Sequence, residues 1–277
     1  MDKKHQIEES PVRKRFVETG NARLHVIDEG PVAAPAVLFS HSIMTNAGMW
    51  NPQASLLRDT FRVVRYDSRG HGQSTAGSPD YSMGMLATDV IAILDALDLG
   101  KVHFVGLSLG GIVGFDLALN HPRRLLSLAI CDARADSPEQ FARPWDARIE
   151  AAQWQGMQAL VEPTMARWFG SDFLQTAQAD EVRSMIRDTS LEGFVATARA
   201  LQSYDYRRLT GCANAPITLI AGERDGVLPS VMQSLATQIE HASFELIASA
   251  GHLPNLENPQ AFNEALLRHL RSAAMRA

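Results

Sequence analysis

The feature of this sequence that most constrains its fold is an alternation of short apolar runs with segments of helical periodicity. The runs with strand character cover residues 15–19, 23–28, 36–40, 61–66, 102–107, 125–131, 217–221 and 244–247. Helical spacing of apolar residues predicts helices over residues 82–99, 109–120 and 260–273. Strands that alternate with helices form a mostly parallel sheet covered on both faces. The sequence therefore predicts an α/β fold with a mostly parallel, eight-stranded sheet flanked by helices.

This alternation is interrupted between residues 136 and 206, where no β-branched apolar run occurs. The segment is rich in Ala, Gln, Met, Trp and Arg at helical spacing, which predicts a helical lid inserted after the sixth strand. Residues 15–135 and 207–277 then form the α/β core. Residues 1–14 are polar and lack an apolar centre, so we expect a loose N-terminal leader and not a secretory signal.

Composition argues against several classes of function. Hydrophobic residues make up 45% and charged residues 21%, as in ordinary soluble globular proteins. The net charge of −5, without a long basic run, argues against nucleic acid as a partner, because phosphate binding needs clustered Lys and Arg. No apolar run is long enough to cross a membrane. The only cysteines are Cys131 and Cys212, and no Cys/His spacing resembles a metal site, which fits a reducing cytoplasm and a protein without metal.

A serine between two glycines lies where a buried strand is predicted to end. Gly106-Leu107-Ser108-Leu109-Gly110 matches the G-x-S-x-G nucleophile elbow, in which a sharp turn from strand to helix exposes the serine. Glycine is needed there because side chains at the flanking positions would collide with neighbouring backbone. The helix N-terminus favours an anion that develops beside the serine. A helix N-cap serine is the alternative, but the strand-turn-helix context favours Ser108 as a nucleophile.

A serine hydroxyl needs a general base, and His252 is the best candidate. In chains with this elbow the nucleophile comes first, then an acid, then the histidine. His252 lies in SAGHLPNLENP, between the last predicted strand and the last helix, where Gly and Pro favour a fixed loop. His71 is the main rival, but it precedes Ser108 in the chain. We interpret its loop, DSRGHGQS, as a structural turn in which Asp67 and Arg69 hydrogen-bond the backbone.

The acid that orients this histidine is expected to follow the strand before it. The stretch ITLIAGERDGVLP places Asp225 there. Its role would be to hold the imidazole tautomer and to stabilise the imidazolium that forms. Glu223 and Asp132 are rivals, the second because it ends the preceding strand. The position just past the predicted strand favours Asp225.

Acyl transfer also needs hydrogen-bond donors for an oxyanion. One is expected to be the backbone N–H of Leu109, directly after the nucleophile. The second should come from the loop HSIMT after residues 36–40. We choose the N–H of Ile43, with that of Ser42 as the alternative.

With these residues, the chain resembles the α/β-hydrolase superfamily over residues 16–270. The motifs that carry the resemblance are FSHSIMTNAGMW, RYDSRGHGQS, GLSLGG, AGERDGVLP and AGHLPNLENP. Within the superfamily, the chain most resembles the 3-oxoadipate enol-lactonases of aromatic catabolism. SHSIMTNAGMW, RYDSRGHGQS and WDARIEAAQWQGMQALVEPTMARWF are similar to that branch. Most superfamily members have His-Gly in the oxyanion loop, and the serine of His41-Ser42 here also resembles the lactonases, which often carry Asn before it.

This resemblance implies the α/β-hydrolase fold and a serine hydrolase that opens an enol-lactone through an acyl-enzyme, without metal or organic cofactor. The substrate would be a small ester or lactone, and an enol-lactone of this pathway carries a free carboxylate that needs a cation. Arg134, in CDARAD after the sixth strand, is the candidate because its planar guanidinium binds carboxylates bidentately. An ion pair with Asp132 or Asp136 is the alternative for this arginine.

Other substrate contacts are expected from the oxyanion loop and the lid. Ser42 is one candidate. Trp145, Trp154 and Trp168 could wall an apolar pocket, and we choose Trp154 as the pocket residue. Packing inside the lid is the alternative for all three tryptophans.

The same catalytic machinery serves other functions. A general carboxylesterase or another lactonase would differ only in lid shape and in the role of Arg134. A cofactor-free haloperoxidase-like perhydrolase would share the triad and need peroxide. From a different class, the chain could be a non-catalytic ligand-binding protein that kept the fold.

Overall fold

The computed structural model describes residues 12–211 and 215–275. An eight-stranded sheet lies at its centre, and this confirms the mostly parallel α/β fold. The strands are β1 (Arg13–Thr19), β2 (Ala22–Glu29), β3 (Ala36–Ser40), β4 (Arg62–Tyr66), β5 (Val102–Leu107), β6 (Leu125–Cys131), β7 (Ile217–Gly222) and β8 (Ser243–Ile247). Their order is β1-β2-β4-β3-β5-β6-β7-β8. The pairs β1–β2 and β2–β4 are antiparallel, and the other neighbours run parallel.

The helices fall between and around these strands. They are α1 (Asn51–Leu57), α2 (Met83–Ala96), α3 (Leu109–Asn120), α4 (Glu139–Ala142), α5 (Pro144–Gln155), α6 (Val161–Trp168), α7 (Ala177–Asp188), α8 (Leu191–Ala200), α9 (Leu228–Gln238), α10 (Pro254–Glu257) and α11 (Pro259–Ala274). The bounds of α3 are the predicted ones, whereas α1 and α9 were not predicted. In the described part of the chain, no helix has both the length and the apolar character that a bilayer span requires.

The burial of the strands on both faces explains why their sequences are continuously apolar. Every residue of β3, β4, β5 and β7 is buried, as expected of parallel strands covered on both faces. The edge strand β8 is mostly half-exposed or exposed. The carboxyl ends of the parallel strands share one edge of the sheet, so the loops that follow β3, β5, β6, β7 and β8 meet there.

The predicted leader is shorter than residues 1–14. Strand β1 begins at Arg13, two residues before the predicted strand, because the Arg13 guanidinium binds the buried carboxylate of Asp28 on β2 at 3.0 Å. Residues 1–11 lie outside the described residues.

The helical insertion, residues 136–206, contains α4 to α8. An isolated β-bridge joins Asp136 to Asp205 at its base. Far from this base, Ser190 donates its backbone N–H and its hydroxyl to the carbonyl oxygen of Gly70, at 3.2 and 2.9 Å. The Cα atoms of Gly70 and Gly193 approach so closely that a Cβ on Gly70 would lie 2.3 Å from Cα of Gly193. The insertion is therefore fastened to the core at its base and on the loop after β4.

Candidate active site

Ser108 occupies a strained turn between β5 and α3. Its φ of 53° and ψ of −110° are unusual for a residue with a side chain. Its N–H donates to the carbonyl oxygen of Cys131 at 2.8 Å, which holds the turn against β6. A Cβ on Gly106 would lie 2.1 Å from the carbonyl oxygen of Gly110, so only glycine fits at that position. The turn leaves Ser108 partly exposed at the carboxyl edge of the sheet.

Two other predicted site residues meet in the loops after β7 and β8. The imidazole Nδ1 of His252 lies 2.6 Å from Oδ2 of Asp225. The carboxylate accepts the Nδ1 proton, which leaves Nε2 as the basic nitrogen. Burial raises the pKa of Asp225, but the charge and hydrogen bond of His252 outweigh it and hold that pKa below its usual value. The Asp225 carboxyl is therefore ionised at every pH at which the neutral His252 imidazole can act as a base.

Trp168, at the end of α6, holds His252 from the other side. Its carbonyl oxygen accepts the N–H of His252 at 2.8 Å. The rings of the two residues are stacked, with centroids 5.6 Å apart and planes 28° from parallel. Trp168 is fully buried, and so it acts as a rigid wall against which the imidazole is oriented.

The rival acids occupy different places. Asp132 ends β6 and accepts the N–H of Gly222 through Oδ1 at 2.8 Å. Its Oδ2 is buried and has no hydrogen-bond partner among the described residues. Burial and the charge of Asp225 raise the pKa of Asp132 well above its usual range, which favours the protonated form of Asp132. Glu223 accepts the N–H of Ser249 at 2.8 Å. The histidine contact belongs to Asp225.

The two predicted oxyanion donors are backbone N–H groups without acceptors. Within residues 12–211 and 215–275, neither the N–H of Leu109 nor that of Ile43 has a hydrogen-bond partner. The N–H of Ser42 instead donates to Sδ of Met49 at 3.4 Å. Gly110 donates its N–H to the carbonyl oxygen of His41 at 3.1 Å, which draws this loop against the start of α3. These contacts favour Ile43 over Ser42 as the second donor.

The loop that contains His71 is built as the structural turn we expected. The carboxylate of Asp67 accepts the N–H groups of Ala47 and Gln73 at 2.7 and 2.9 Å. His71 donates from Nδ1 to the carbonyl oxygen of Arg69 at 2.8 Å. Burial lowers the pKa of His71 to about 3, so the ring is neutral and held inside the protein.

The structure does not bring the three predicted substrate-binding residues to a common surface. Arg134 donates to Oδ1 of Asp136 from Nε and Nη2, at 3.0 and 2.8 Å, so its guanidinium already has a carboxylate. Trp154 is 82% exposed, because it faces away from the buried side of α5. Ser42 is fully buried, and its hydroxyl has no hydrogen-bond partner in the described residues. These placements argue against substrate contact by Arg134, Trp154 or the Ser42 side chain.

One residue beside the candidate site that the sequence analysis missed is Glu257. Its carboxylate accepts the N–H of Gly170, just after α6, at 2.8 Å and the N–H of Gly251, just before His252, at 2.6 Å. It therefore joins the helical insertion to the histidine loop. A signal was present in AGHLPNLENP, where an acid lies five residues after the histidine and six residues after its glycine.

We expect Glu257→Gln to lower kcat about tenfold or more, because glutamine offers one acceptor and leaves a buried N–H unpaired, at a cost of about 1–3 kcal/mol. The loop that carries His252 would shift with Gly251. Steady-state kinetics on an activated ester measures the effect. Glu223→Gln is the matched control, since Glu223 holds the outer end of the same loop without touching the insertion. Equal losses in both variants would show a general loop effect and contradict the prediction.

Known proteins resemble this chain over most of its length. A family model for the alpha/beta hydrolase fold matches residues 35–259. The 3-oxoadipate enol-lactonase 1 of Acinetobacter baylyi is 36% identical over 242 residues, which cover 86% of this chain and 90% of that protein. The crystal structure of the enol-lactonase from Burkholderia xenovorans has a TM-score of 0.88 and 30% identity, covering 93% of this chain and 100% of that chain. A thermophilic esterase from Thermogutta terrifontis, in a malate-bound structure, has a TM-score of 0.87 and 28% identity, covering 94% and 99%.

Proposed function

Since the chain belongs to the alpha/beta hydrolase fold family, we propose that it is a serine hydrolase that opens an enol-lactone of the 3-oxoadipate type. Enol-lactonases and an esterase among its relatives support hydrolase chemistry. The observation that carries the proposal is the 2.6 Å contact between His252 and Asp225, in loops at the sheet edge where Ser108 occupies its strained turn.

In the first step, Oγ of Ser108 attacks the lactone carbonyl carbon while Nε2 of His252 takes its proton. Asp225 keeps the other imidazole nitrogen protonated and stabilises the imidazolium. The carbonyl oxygen becomes an oxyanion, which the free N–H groups of Leu109 and Ile43 receive. Both donors are fixed by the backbone before the substrate binds, so little reorganisation is needed when the charge develops.

The ring then opens. The bond between the carbonyl carbon and the ring oxygen breaks, His252 returns its proton to the enol oxygen, and the acyl group remains on Ser108. In the second half, His252 takes a proton from water, and the hydroxide attacks the acyl carbon. Ser108 leaves with the proton from His252, and the free acid is released. The enol becomes a ketone, which makes ring opening hard to reverse.

The test is turnover of 3-oxoadipate enol-lactone beside p-nitrophenyl acetate. We expect kcat/KM for the lactone above about 10⁴ M⁻¹s⁻¹, in the range of specific enzymes. It should exceed the value for the acetate by at least about a hundredfold. Weak lactone turnover with good ester hydrolysis would reject the lactonase assignment and keep the serine hydrolase.

A general carboxylesterase is the second candidate. The 28% identity and TM-score of 0.87 with the Thermogutta terrifontis esterase favour it. The two functions share Ser108, Asp225 and His252, so only the substrate ratio separates them. Hydrolysis of neither substrate would contradict both and would favour the non-catalytic binding protein.

A further inference from the structure

Among the described residues, five of the six arginines in the helical insertion form no ion pair, and two of these five, Arg148 and Arg167, lie over tryptophan rings. Arg148 is on α5 and Arg167 is on α6. In the part of the chain that the structure describes, neither guanidinium forms an ion pair or a hydrogen bond. Arg183 in the same insertion, by contrast, binds Glu162 and Asp180, both at 2.9 Å. Cations without a local acid are available to an anion from outside.

Each of these arginines lies over a buried tryptophan. Cζ of Arg148 is 4.6 Å from the ring centroid of Trp145, and Cζ of Arg167 is 5.8 Å from that of Trp168. Trp168 in turn stacks on the imidazole of His252. Arg167 is thus one aromatic ring away from the catalytic histidine. A guanidinium supported by an aromatic face keeps its N–H edges free for hydrogen bonds.

The charges of Arg148 and Asp225 both act on the guanidinium of Arg167. Burial and, to a smaller extent, the charge of Arg148 lower the pKa of Arg167 to about 10, while the charge of Asp225 opposes the change. Burial also lowers the pKa of Arg148. The Arg167 side chain nevertheless remains accessible to solvent. Its contact with the Trp168 ring, which stacks on His252, places the Arg167 guanidinium beside the candidate active site.

We propose that Arg148 and Arg167 receive a carboxylate of the substrate, so that the enzyme prefers esters and lactones whose acyl chain ends in a free acid. This inference rests on the proposed function, because it assigns the subsite for the group that distinguishes a 3-oxoadipate-type lactone from a simple ester. It replaces Arg134, whose guanidinium is held by Asp136. A dicarboxylic half-ester fits the same subsite, since its acyl chain also carries a free acid at the far end.

An alternative role for Arg167 is to act on Asp225, whose pKa it also lowers. That role would affect all substrates equally, because Asp225 serves every turnover. A carboxylate subsite affects only substrates that carry the acid. A pair of esters with the same leaving group separates the two roles.

The experiment compares mono-p-nitrophenyl glutarate, which carries a free carboxylate, with neutral p-nitrophenyl acetate. Arg167→Gln should lower kcat/KM for the glutarate half-ester about 10- to 100-fold, mainly through KM, as expected when a charge-assisted hydrogen bond is lost. Arg148→Gln should act in the same direction. Both variants should keep the acetate rate within about threefold of wild type. Arg187→Gln, which removes a charge from the exposed end of α7, is the control and should leave both rates unchanged.

Three results would overturn the proposal. Equal losses of kcat/KM on both esters would show that Arg167 acts through Asp225 and not on the substrate carboxylate. Loss of the half-ester rate in Arg134→Gln alone would return the subsite to Arg134. Unchanged half-ester kinetics in both Arg148→Gln and Arg167→Gln would remove it altogether.

Calorimetric titration with glutarate keeps the test independent of turnover. Wild-type binding that weakens at least about tenfold in Arg167→Gln supports the subsite even if no ester is hydrolysed. Equal affinity in both proteins, or no binding by wild type, rejects it. Failure of the proposed function would appear separately, as absence of hydrolysis by the wild-type enzyme.

Discussion

Replacing Ser108 with alanine is expected to lower kcat on every ester and lactone by about a million-fold, the scale of loss when a serine hydrolase loses its nucleophile. The acyl-enzyme cannot form, and only the oxyanion donors and substrate binding remain to assist water. The fold should persist, because alanine at a φ of 53° is no more strained than serine.

The measurement combines kinetics with covalent labelling. A fluorophosphonate should add one group to the wild-type protein and none to Ser108→Ala, as read by intact mass. The melting temperature of the variant should stay within about 2 °C of wild type, which separates lost chemistry from lost structure. A variant that keeps more than about 1% of kcat would show that another group attacks the carbonyl.

Asp225→Asn should lower kcat by about 10⁴-fold, the effect of presenting an amide to the catalytic histidine. In the wild-type protein, Oδ2 of Asp225 accepts the proton on Nδ1 of His252, and the two atoms are 2.6 Å apart. An asparagine can turn its Nδ2–H₂ towards the ring, which makes Nδ1 the acceptor and puts the proton on Nε2, the atom needed as base. Activity measured across pH should be low throughout, because the tautomer and not a titration is at fault.

Asp132→Asn is the matched control for this variant. Burial and the charge of Asp225 favour the neutral form of Asp132, and an amide of the same size is also neutral and can accept the Gly222 N–H. We expect a loss of less than about tenfold. A larger loss in Asp132→Asn than in Asp225→Asn would identify Asp132 as the triad acid.

The fold was predictable where local pattern and burial agree. Strands β3 and β5 were predicted with their observed bounds because parallel strands covered on both faces are continuously apolar. Helix α9 was missed because it buries only Met232 and Leu235, too few for an apolar stripe. Helix α1 was missed because it is short and starts at Asn51-Pro52, a pair that also begins turns.

The acid and the histidine of the candidate site were predictable, because their positions follow from the order of the predicted strands along the chain. Asp225 and His252 were found from their places after predicted strands, and these residues do meet. The carboxylate subsite that we propose was not predictable, because the proposal depends on which side chains already have partners. Arg134 finds its acid two residues away, whereas the position of Arg148 on α5 relative to Arg167 on α6 depends on the tertiary fold of the insertion.

The contact between Gly70 and Gly193 restricts how this chain can change over generations. Any side chain at Gly193 would place its Cβ 2.4 Å from Cα of Gly70, so a mutation there would push the insertion off the core. Helices α5 to α7 lie outside this contact, so a substitution on them leaves it intact. The seating of the insertion on the core and the side chains that the insertion offers to a substrate can therefore change independently of each other.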